Sequence, residues 1–298
     1  MATALSRPLH IGSRGSPLAL AQARMVADAL LAAHGWSEEA VEIVPVTTAG
    51  DRIQDRPLAE FGGKSLWTKE LDCCLQDGRT DLSVHSMKDV ETIRPAELVV
   101  AAMLERADPR DRLIGADSLD VLPEGARVGT SSPRRRAQLL ARRPDLAIVV
   151  MRGNVHTRLA KLERGEADAT LLAAAGLDRL GLDLGVPVDL LPAPAQGAVG
   201  VEVLADNAEV QALVAAIDHA VTHRCVAAER AFLAALGGDC RSAVAAQARC
   251  EAATVTLRAE ILAPDGSEVQ AGESDDPAAL ARALLARASP ALRALFAP

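Results

Sequence analysis

A short polar segment, Val84–Val90, combines residue types that could perform acid–base chemistry or stabilise a charge. It reads Val-His-Ser-Met-Lys-Asp-Val and begins at the end of an apolar run that predicts a strand. Ligands of open α/β sheets bind beyond the carboxyl ends of the strands. The adjacent Lys88 and Asp89 could therefore transfer protons or stabilise a charged group of a ligand there. On spacing alone, an ordinary polar loop is the stronger interpretation.

Positive charge is concentrated between Arg127 and Arg158, although the chain as a whole is acidic. The formal net charge is −8, whereas this segment has eight arginines and one acid, Asp145. A negative net charge opposes association with DNA or with anionic membranes, because both need a basic surface. A local anion-binding site therefore explains the arginines better, and we expect neither nucleic acid nor membrane among the partners.

Three predicted strand-to-helix turns contain residues that bind anions. Backbone N–H groups at a helix start bind anions, and arginine adds paired hydrogen bonds to a carboxylate or phosphate. The turns include Arg14 with Ser16, the run Gly129–Arg136 and the run Arg152–Arg158. For the second turn alone, a solvated basic face is an equal alternative. Together, the three turns indicate a ligand with several carboxylates or phosphates.

One of the five cysteines lies where it could react. Cys240 follows Gly237-Gly238-Asp239 in a predicted loop and precedes Arg241. A loop thiol beside an arginine could be a nucleophile or a covalent attachment point, although a passive cysteine is the stronger local interpretation. The odd number of cysteines and the lack of metal-ligand spacing predict a reducing compartment, without a disulfide framework or a metal. Because we find no signal segment and no apolar run of about 18 residues, we expect a cytoplasmic protein.

Alternating short apolar runs and helical patterns predict the elements that position these turns. Over the first two thirds of the 298 residues, strands alternate with helices, which is typical of largely parallel sheets. Helix-start signals stand at Ser16-Pro17, Ser132-Pro133 and Asn154. The predicted strands are Leu9–Ser13, Val41–Val46, Leu82–His85, Leu98–Met103, Arg127–Gly129, Leu146–Val150 (buried), Ala169–Ala173 and Ala198–Val203, the last of which could return to the first sheet.

Pro187–Pro194 is expected to be a connector, and the pattern changes after about residue 219. A long alanine-rich helix is predicted there, from about Val221 to Leu236. Two alternating stretches, Ala243–Ala248 and Thr254–Leu262, and a helix near Pro277–Arg287 follow. This order predicts a small α+β domain at the C-terminus.

In this order, the segments resemble the porphobilinogen deaminase family, also called hydroxymethylbilane synthase. The similarity extends from about Ile11 to Cys240 and is weaker beyond. The matching segments are Ser13–Leu20, Gly63–Leu71, Val84–Val90, Gly129–Arg135, Arg152–Arg158, Ala175–Gly181 and Gln196–Ala198. Each segment alone is a weak signal, but the ordered set is specific.

The resemblance implies an α/β fold with two doubly wound lobes like those of periplasmic binding proteins, followed by a small α+β domain. The expected boundaries are 1–103 with 198–219 for domain 1, 104–197 for domain 2 and 220–298 for domain 3, which carries the cofactor cysteine. The implied activity is that of a transferase in porphyrin and haem biosynthesis. It would condense four units of porphobilinogen, with loss of ammonia, into hydroxymethylbilane. A monomer is the default expectation.

The resemblance also implies roles for individual residues. Asp89 would be the catalytic carboxylate, and Lys88 would act beside it and pair with cofactor carboxylates. The cofactor would be a dipyrromethane bound through a thioether to Cys240. The residues expected to bind this cofactor or the growing chain are Arg14, Ser16, Gln22, Lys88, Thr130, Ser132, Arg134, Arg135, Arg152, Arg158 and Arg179. Lys64 and Trp67 match a loop near the site.

Three sites depart from the family pattern. Glu91 stands where a proline usually follows Lys-Asp-Val, Ala195 replaces the first glycine of Gly-Gln-Gly, and Ala243-Val244 replaces Pro-Ile. Ala195 could alter the hinge between the lobes, and Ala243 could alter the presentation of Cys240. The alternative function is a two-lobed protein that binds a small carboxylate or phosphate without catalysis, which would need neither Asp89 nor Cys240.

Overall fold

Two parts of the chain that are distant in sequence form the first unit of the structure. The computed structural model describes residues 7–48, 67–239, 242–252 and 254–296. The chain divides into unit 1, Met1–Arg106 with Ala198–His223, and unit 2, Ala107–Gly197 with Arg224–Pro298. The division into three domains stays a prediction.

The described part of unit 1 contains a mixed sheet. Its strands are β1 (Leu9–Arg14), β2 (Val41–Val46), β3 (Leu82–Ser86), β4 (Leu98–Met103) and β10 (Val199–Leu204). Their order is β2-β1-β3-β10-β4. β1 is parallel to β2 and β3, whereas β10 is antiparallel to β3 and β4. The prediction that the 198–203 strand returns to the first sheet is confirmed.

The helices of unit 1 include α1 (Pro17–His34), α2 (Lys69–Gln76) and α6 (Ala208–Val214). α1 begins where the sequence predicts, because Ser16 Oγ accepts the Ala19 N–H at 3.3 Å and Pro17 occupies the first turn. Val26 and Leu30 of α1 pack on the sheet in one hydrophobic core. This packing fixes the start of α1 beside the carboxyl end of β1.

The sheet of unit 2 is also mixed. Its described strands are β5 (Asp111–Ile114), β6 (Arg127–Gly129), β7 (Ala147–Val149), β8 (Ala169–Ala173) and β9 (Val186–Val188), in the order β7-β6-β8-β5-β9. β6 is parallel to β7 and β8, and β5 is antiparallel to β8 and β9. The helices α3 (Pro133–Arg142), α4 (Val155–Glu163) and α5 (Ala174–Arg179) follow β6, β7 and β8.

The C-terminal part is a small α+β arrangement. It contains α7 (Ala220–Ala235), the antiparallel strands β11 (Val244–Glu251), β12 (Thr254–Leu262) and β13 (Val269–Ser274), and the helices α8 (Pro277–Arg287) and α9 (Pro290–Ala294). Phe232, Leu257 and Leu284 belong to its buried core. The backbone turns at Gly237, with φ of 64°, as the helix-stop signal predicts.

The predicted fold class, mixed α/β with two sheet–helix lobes and a small C-terminal domain, is confirmed. The sequence missed β5, β9 and β13. β9 overlaps the start of the expected connector, and its proline is tolerated because β9 is an edge strand. β7 was expected to be buried, but it lies at the opposite edge and is partly exposed. None of the described helices is long and apolar enough to cross a membrane.

Candidate active site

A cavity opens in unit 1 at the carboxyl ends of β1 and β3, the edge at which such sheets bind ligands. Its empty volume, part of which is open to solvent, is about 450 Å³. Four residues predicted from the sequence meet there: Arg14, Ser16, Gln22 and Asp89. The lining also includes Leu18, Ala19, Trp67, Thr68, Val84, His85, Ser86 and Val90.

Asp89 ends a 3₁₀ turn, Met87–Asp89, that directly follows β3. Met87 anchors the turn, because its side chain is buried and its N–H donates to the Ala198 carbonyl at 3.1 Å. Gly200 makes room for Met87, since a Cβ at Gly200 would overlap the methionine side chain. Asp89 therefore reaches the cavity from a short, well-supported turn. Lys88 lies in the same turn and is half-buried.

Arg14 and Trp67 form one wall of the cavity. The guanidinium carbon of Arg14 lies 3.9 Å from the centroid of the Trp67 ring, which is a cation–π contact. Stacking uses the face of the planar guanidinium, whereas hydrogen bonds to carboxylates form along its edge. The pair is therefore suited to holding a carboxylate in the cavity.

Gln22 and Ser86 connect α1 to the end of β3 within the cavity lining. Gln22 Nε2 donates to Ser86 Oγ at 2.8 Å, and the Ser86 hydroxyl donates to Gln22 Oε1 at 3.0 Å. Gln22 is buried, whereas Ser86 is partly exposed. Ser16 and Ala19, from the first turn of α1, line the same cavity. The N-terminus of α1 thus borders a site for an anion.

A largely buried group of polar and charged side chains lies next to the cavity, and we call it the Arg94 cluster. It consists of Thr68, Asp72, Glu91, Arg94 and Glu202. The Arg94 guanidinium pairs with all three carboxylates: Nε with Glu202 at 2.8 Å, Nη1 with Glu91 at 2.6 Å and Nη2 with Asp72 at 2.6 Å. Thr68 donates its hydroxyl to Glu91.

The electrostatics of the Arg94 cluster differ between its acids. Burial acts to raise the pKa of Glu202, but hydrogen bonds from His85 and Arg94 outweigh burial and lower this pKa to about 2. His85 Nε2 lies 3.2 Å from Glu202 Oε2. Burial raises the pKa of Asp72 in spite of its pairing with Arg94. Of Glu202 and Asp72, Glu202 is therefore held more firmly in its charged form.

The predicted anion-binding residues of unit 2 follow three neighbouring parallel strands. Because β6, β7 and β8 are parallel neighbours, the segments after their carboxyl ends lie at one edge of the sheet. Thr130 and Ser132 follow β6, and Arg152 follows β7. Arg158 lies in α4, and Arg179 ends α5 after β8. The second sheet therefore brings these predicted residues to a common edge.

The turn after β6 is closed by its own side chains. Thr130 Oγ1 accepts the Ser132 N–H at 3.1 Å, and Ser132 Oγ accepts the Arg135 N–H at 3.4 Å. Ser131 Oγ donates to the Met151 carbonyl at 2.8 Å, which joins this turn to the turn after β7. The hydroxyls thus fix the start of α3, as the Ser-Pro signal predicts.

Arg134 and Arg135 extend to a buried acid of the same unit. Asp111 accepts from Arg134 Nη1 at 2.8 Å and from Arg135 Nη2 at 2.7 Å. Gln196 Nε2 adds a third donor at 2.8 Å. Burial alone would raise the pKa of Asp111, but the two arginines hold it well below its usual range. That these arginines bind a cofactor stays a prediction.

The other predicted arginines of unit 2 are half-buried. Arg158 Nε donates to the Gly153 carbonyl at 2.9 Å, within the turn after β7. Arg179 Nη2 donates to the Gly197 carbonyl at 2.7 Å, and burial lowers the pKa of Arg179. Cys240 and Lys64 lie outside the described residues.

Ala195 has a backbone conformation that favours glycine. Its φ is 62°, in the left-handed region, and its side chain is buried. Its N–H donates to Glu229 Oε2 at 2.5 Å. The position therefore retains the conformation for which a glycine is suited, although this chain has alanine there.

Thr68, Asp111 and Glu202 were not among the residues predicted from the sequence. Glu202 gives a signal in retrospect, because it interrupts the apolar run of β10 and charged residues are seldom buried without partners. Asp111 gives a weaker signal, because it begins a short strand that continues with Arg112 before Leu113 and Ile114. Thr68 has no comparable signal, since a threonine before a helix is common on protein surfaces.

Two open sheets, each with residues of types that bind anions at the carboxyl ends of its strands, are typical of an α/β protein that binds acidic ligands. A carboxylate in the cavity of unit 1 adds a group for cationic chemistry. Residues 9–212 match the family model "Porphobilinogen deaminase, dipyromethane cofactor binding domain", and residues 223–289 match "Porphobilinogen deaminase, C-terminal domain". The chain belongs to the porphobilinogen deaminase family.

Individual relatives have the same name. The chain is 60% identical over 305 residues to the porphobilinogen deaminase of Sphingopyxis alaskensis, covering 97% of each chain. It is 52% identical to that of Paracoccus denitrificans, covering 91% of this chain and 89% of the relative. A solved nutrient binding protein from Burkholderia cenocepacia has a TM-score of 0.42 and 16% identity, covering 70% of this chain and 91% of that one.

Proposed function

We propose that this protein condenses four molecules of porphobilinogen head to tail, with release of ammonia, into the linear tetrapyrrole hydroxymethylbilane. Membership of the porphobilinogen deaminase family supports this activity, since both family domains match the chain. The observation that carries the proposal is the cavity where Asp89 meets Arg14, Ser16 and Gln22. A binding protein without catalysis is disfavoured, because the larger matched domain is one that binds a dipyrromethane cofactor.

Asp89 is proposed as the catalytic carboxylate. Positive charge develops on the pyrrole and its methylene carbon when ammonia leaves porphobilinogen. A preorganised carboxylate stabilises such a charge as donor groups stabilise an oxyanion, with the signs reversed. The Met87–Asp89 turn supports the carboxylate at the cavity, where it could also accept a hydrogen bond from the pyrrole N–H. Lys88, in the same turn, is assigned to the cofactor carboxylates.

The hydroxyls, amide and arginines are proposed to bind acidic arms. Each pyrrole unit has an acetate and a propionate, so a two-unit primer with four added units has about twelve negative charges, which need partners where water is excluded. The proposed ligands are Arg14, Ser16 and Gln22 in unit 1, and Thr130, Ser132, Arg134, Arg135, Arg152, Arg158 and Arg179 in unit 2. The N-termini of α3 and α4 add backbone N–H groups.

The described residues fit a dipyrromethane. Guanidinium groups and helix N-termini are the donors that bind its carboxylates best. The buried Nε atoms of Arg134 and Arg179 have no hydrogen-bond partner among the described residues, so donors remain for an anionic group. We assign the attachment to Cys240, through a thioether. When bound, the cofactor supplies the pyrrole carbon to which the first substrate unit is joined.

Intact-mass spectrometry tests the attachment. The wild-type protein should show a mass excess of two pyrrole units, and Cys240→Ser should show none. Cys73→Ser is the matched control, because this thiol is exposed on α2 and should leave the excess unchanged. An unmodified wild-type protein that still forms hydroxymethylbilane would contradict the proposed thioether.

Ammonia release from porphobilinogen tests Asp89. Asp89→Ala should lower turnover by about 10²–10³-fold or more, because it removes an electrostatic group that acts in the transition state. Asp28→Ala, at an exposed acid on α1, is the control for a lost negative charge. An Asp89→Ala protein with an assembled cofactor and normal ammonia release would overturn the role.

We further propose a monomeric protein of the cytoplasm with the three domains given above. The odd number of cysteines, without metal-ligand spacing, supports a reducing compartment. Light scattering on the eluting protein would test the monomer, since a dimer would double the 31.1 kDa mass of the chain.

A further inference from the structure

Glu91, where the family pattern has a proline, is held by two donors from different segments. It lies two residues after Asp89, and 18% of its side chain is exposed. Arg94 Nη1 donates to Glu91 Oε2 at 2.6 Å. The Thr68 hydroxyl lies 2.9 Å from Glu91 Oε1 and 3.0 Å from Oε2. The segment that leaves the Asp89 turn is therefore anchored at its first residue beyond Val90.

Arg94 is itself fixed by the sheet and by α2. Its Nε and Nη2 donate to the two oxygens of Glu202 at 2.8 and 2.9 Å, and Glu202 is fully buried on β10. Nη2 also donates to Asp72 of α2 at 2.6 Å. A paired contact of this kind leaves a guanidinium little rotational freedom. Glu91 is thus bound to a preorganised cation.

Thr68 connects this cluster to the other wall of the cavity. It is fully buried, precedes α2 and lines the cavity beside Trp67. Trp67 in turn stacks on Arg14. The carboxylate of Glu91 therefore joins the wall that contains Asp89 to the wall that contains Trp67.

We propose that Glu91 is a positioning residue for the reaction, which holds the Asp89 turn and the Thr68–Trp67 wall at a fixed separation through Arg94 and Thr68. This inference rests on the proposed function. In relatives with a proline at this position, the ring limits the backbone directly. In this chain, an ion pair and a hydroxyl hydrogen bond provide the constraint.

The geometry predicts an effect on turnover rather than on substrate binding. A displacement of about 1 Å in a catalytic group can cost roughly 10²-fold in rate. Glu91 makes its described contacts to protein groups, so its loss should move Asp89 without removing a ligand of the substrate carboxylates. We therefore expect kcat to fall while KM stays nearly constant.

Steady-state kinetics of the holoenzyme with porphobilinogen test this. Glu91→Leu, which keeps the size but removes both acceptor oxygens, should lower kcat about 10- to 100-fold and change KM by less than about threefold. Glu91→Gln should retain most of the activity, because its amide can still accept from Arg94 and pair with the Thr68 hydroxyl. Glu97→Gln, at an exposed acid of the same loop, should match the wild-type protein.

A double-variant cycle separates positioning from a general loss of stability. If Glu91 acts through Asp89, Glu91→Leu should have a much smaller effect on kcat in an Asp89→Glu background than in the wild-type protein. A purely structural defect would lower kcat by the same factor in both backgrounds. Should Glu91→Leu not fold, Thr68→Val keeps the volume, removes one donor to Glu91 and should lower kcat several-fold.

Failure of the positioning role and failure of the proposed function would give different results. An active wild-type enzyme in which Glu91→Leu and Thr68→Val have the kcat of Glu97→Gln would overturn the positioning role and leave the proposed function intact. If Glu91→Leu lowered kcat by the same factor in the wild-type protein and in Asp89→Glu, the positioning role would also be overturned. A wild-type protein with an assembled cofactor that releases no ammonia would refute the proposed function, and this inference with it.

Discussion

Replacing Glu229 with alanine removes a carboxylate that serves two backbone donors in unit 2. Glu229 lies on α7 and is fully buried. Its Oε2 accepts the Ala195 N–H at 2.5 Å, and its Oε1 accepts the Ala248 N–H at 2.7 Å. One side chain therefore holds the 195–197 turn and β11 against α7, and its loss leaves two buried N–H groups without this acceptor.

The expected loss of stability follows from these two bonds. Hydrogen bonds to a charged group contribute about 1.5–3 kcal/mol each, so Glu229→Ala should cost about 3–6 kcal/mol in the free energy of unfolding. In domains of this size, each kcal/mol of lost stability lowers Tm by about 2–4 °C, so Tm should decrease by about 6–24 °C. The stability of Glu229→Gln, which keeps one acceptor oxygen, should lie between the stabilities of Glu229→Ala and the wild-type protein.

Thermal unfolding monitored by circular dichroism is the assay, with urea unfolding as a second measure. Glu251→Ala is the matched control, because it removes an exposed acid at the end of β11. The control should unfold within about 0.5 kcal/mol of the wild-type protein. A Glu229→Ala protein as stable as the control would show that the two backbone donors find other acceptors at little cost, and would refute this reasoning.

Three further predictions concern other parts of the molecule. The pKa of Glu202 is lowered from 4.5 to about 2, so its contribution to stability is complete above pH 4.5 and is lost as the pH falls toward 2. Glu202→Gln should therefore make the urea midpoint less dependent on pH between about pH 5 and pH 2. Gly165 and Gly266 have φ of 72° and 74°, but only at Gly266 would a Cβ lie 2.3 Å from the Ala141 nitrogen. Gly266→Ala should therefore cost about 1–3 kcal/mol more than Gly165→Ala in urea unfolding, and equal costs would contradict the close approach. Trp67→Leu should raise the KM for porphobilinogen about 2- to 30-fold by removing the cation–π contact with Arg14, whereas Trp67→Phe should raise it less; an unchanged KM in both would argue against the contact.

Local signals in the sequence predicted the helix starts that border the site. Ser16, Ser132 and Asn154 each accept a backbone N–H three residues ahead, so the information lies within one helical turn. The strands of the parallel core were predictable for a similar reason, because their apolar runs are short and separated by polar turns. These two signals place Asp89 and the anion-binding turns at the carboxyl ends of strands.

Contacts between distant segments were not predictable from one sequence. The arginine-rich run indicated an anion site, but nothing local indicates that Arg134 and Arg135 pack on Asp111 of β5. Glu91 was recognised as a departure from the family pattern, yet its pairing with Arg94 and Thr68 depends on how α2 lies against the sheet. β9 was missed because it has only three residues with a proline at its centre, and β13 was missed because it contains polar residues and a glycine.

The position of β10 in the first sheet constrains the order of assembly. β4 joins that sheet through β10, and β10 is translated only after the whole 107–197 segment. A nascent chain that ends before residue 198 would therefore expose the facing edges of β3 and β4, and such unpaired edges promote association with other chains. The N-terminal segment alone is for this reason a poor candidate for a stable fragment, whereas a circular permutant that joins 198–223 to 7–106 would restore strand continuity.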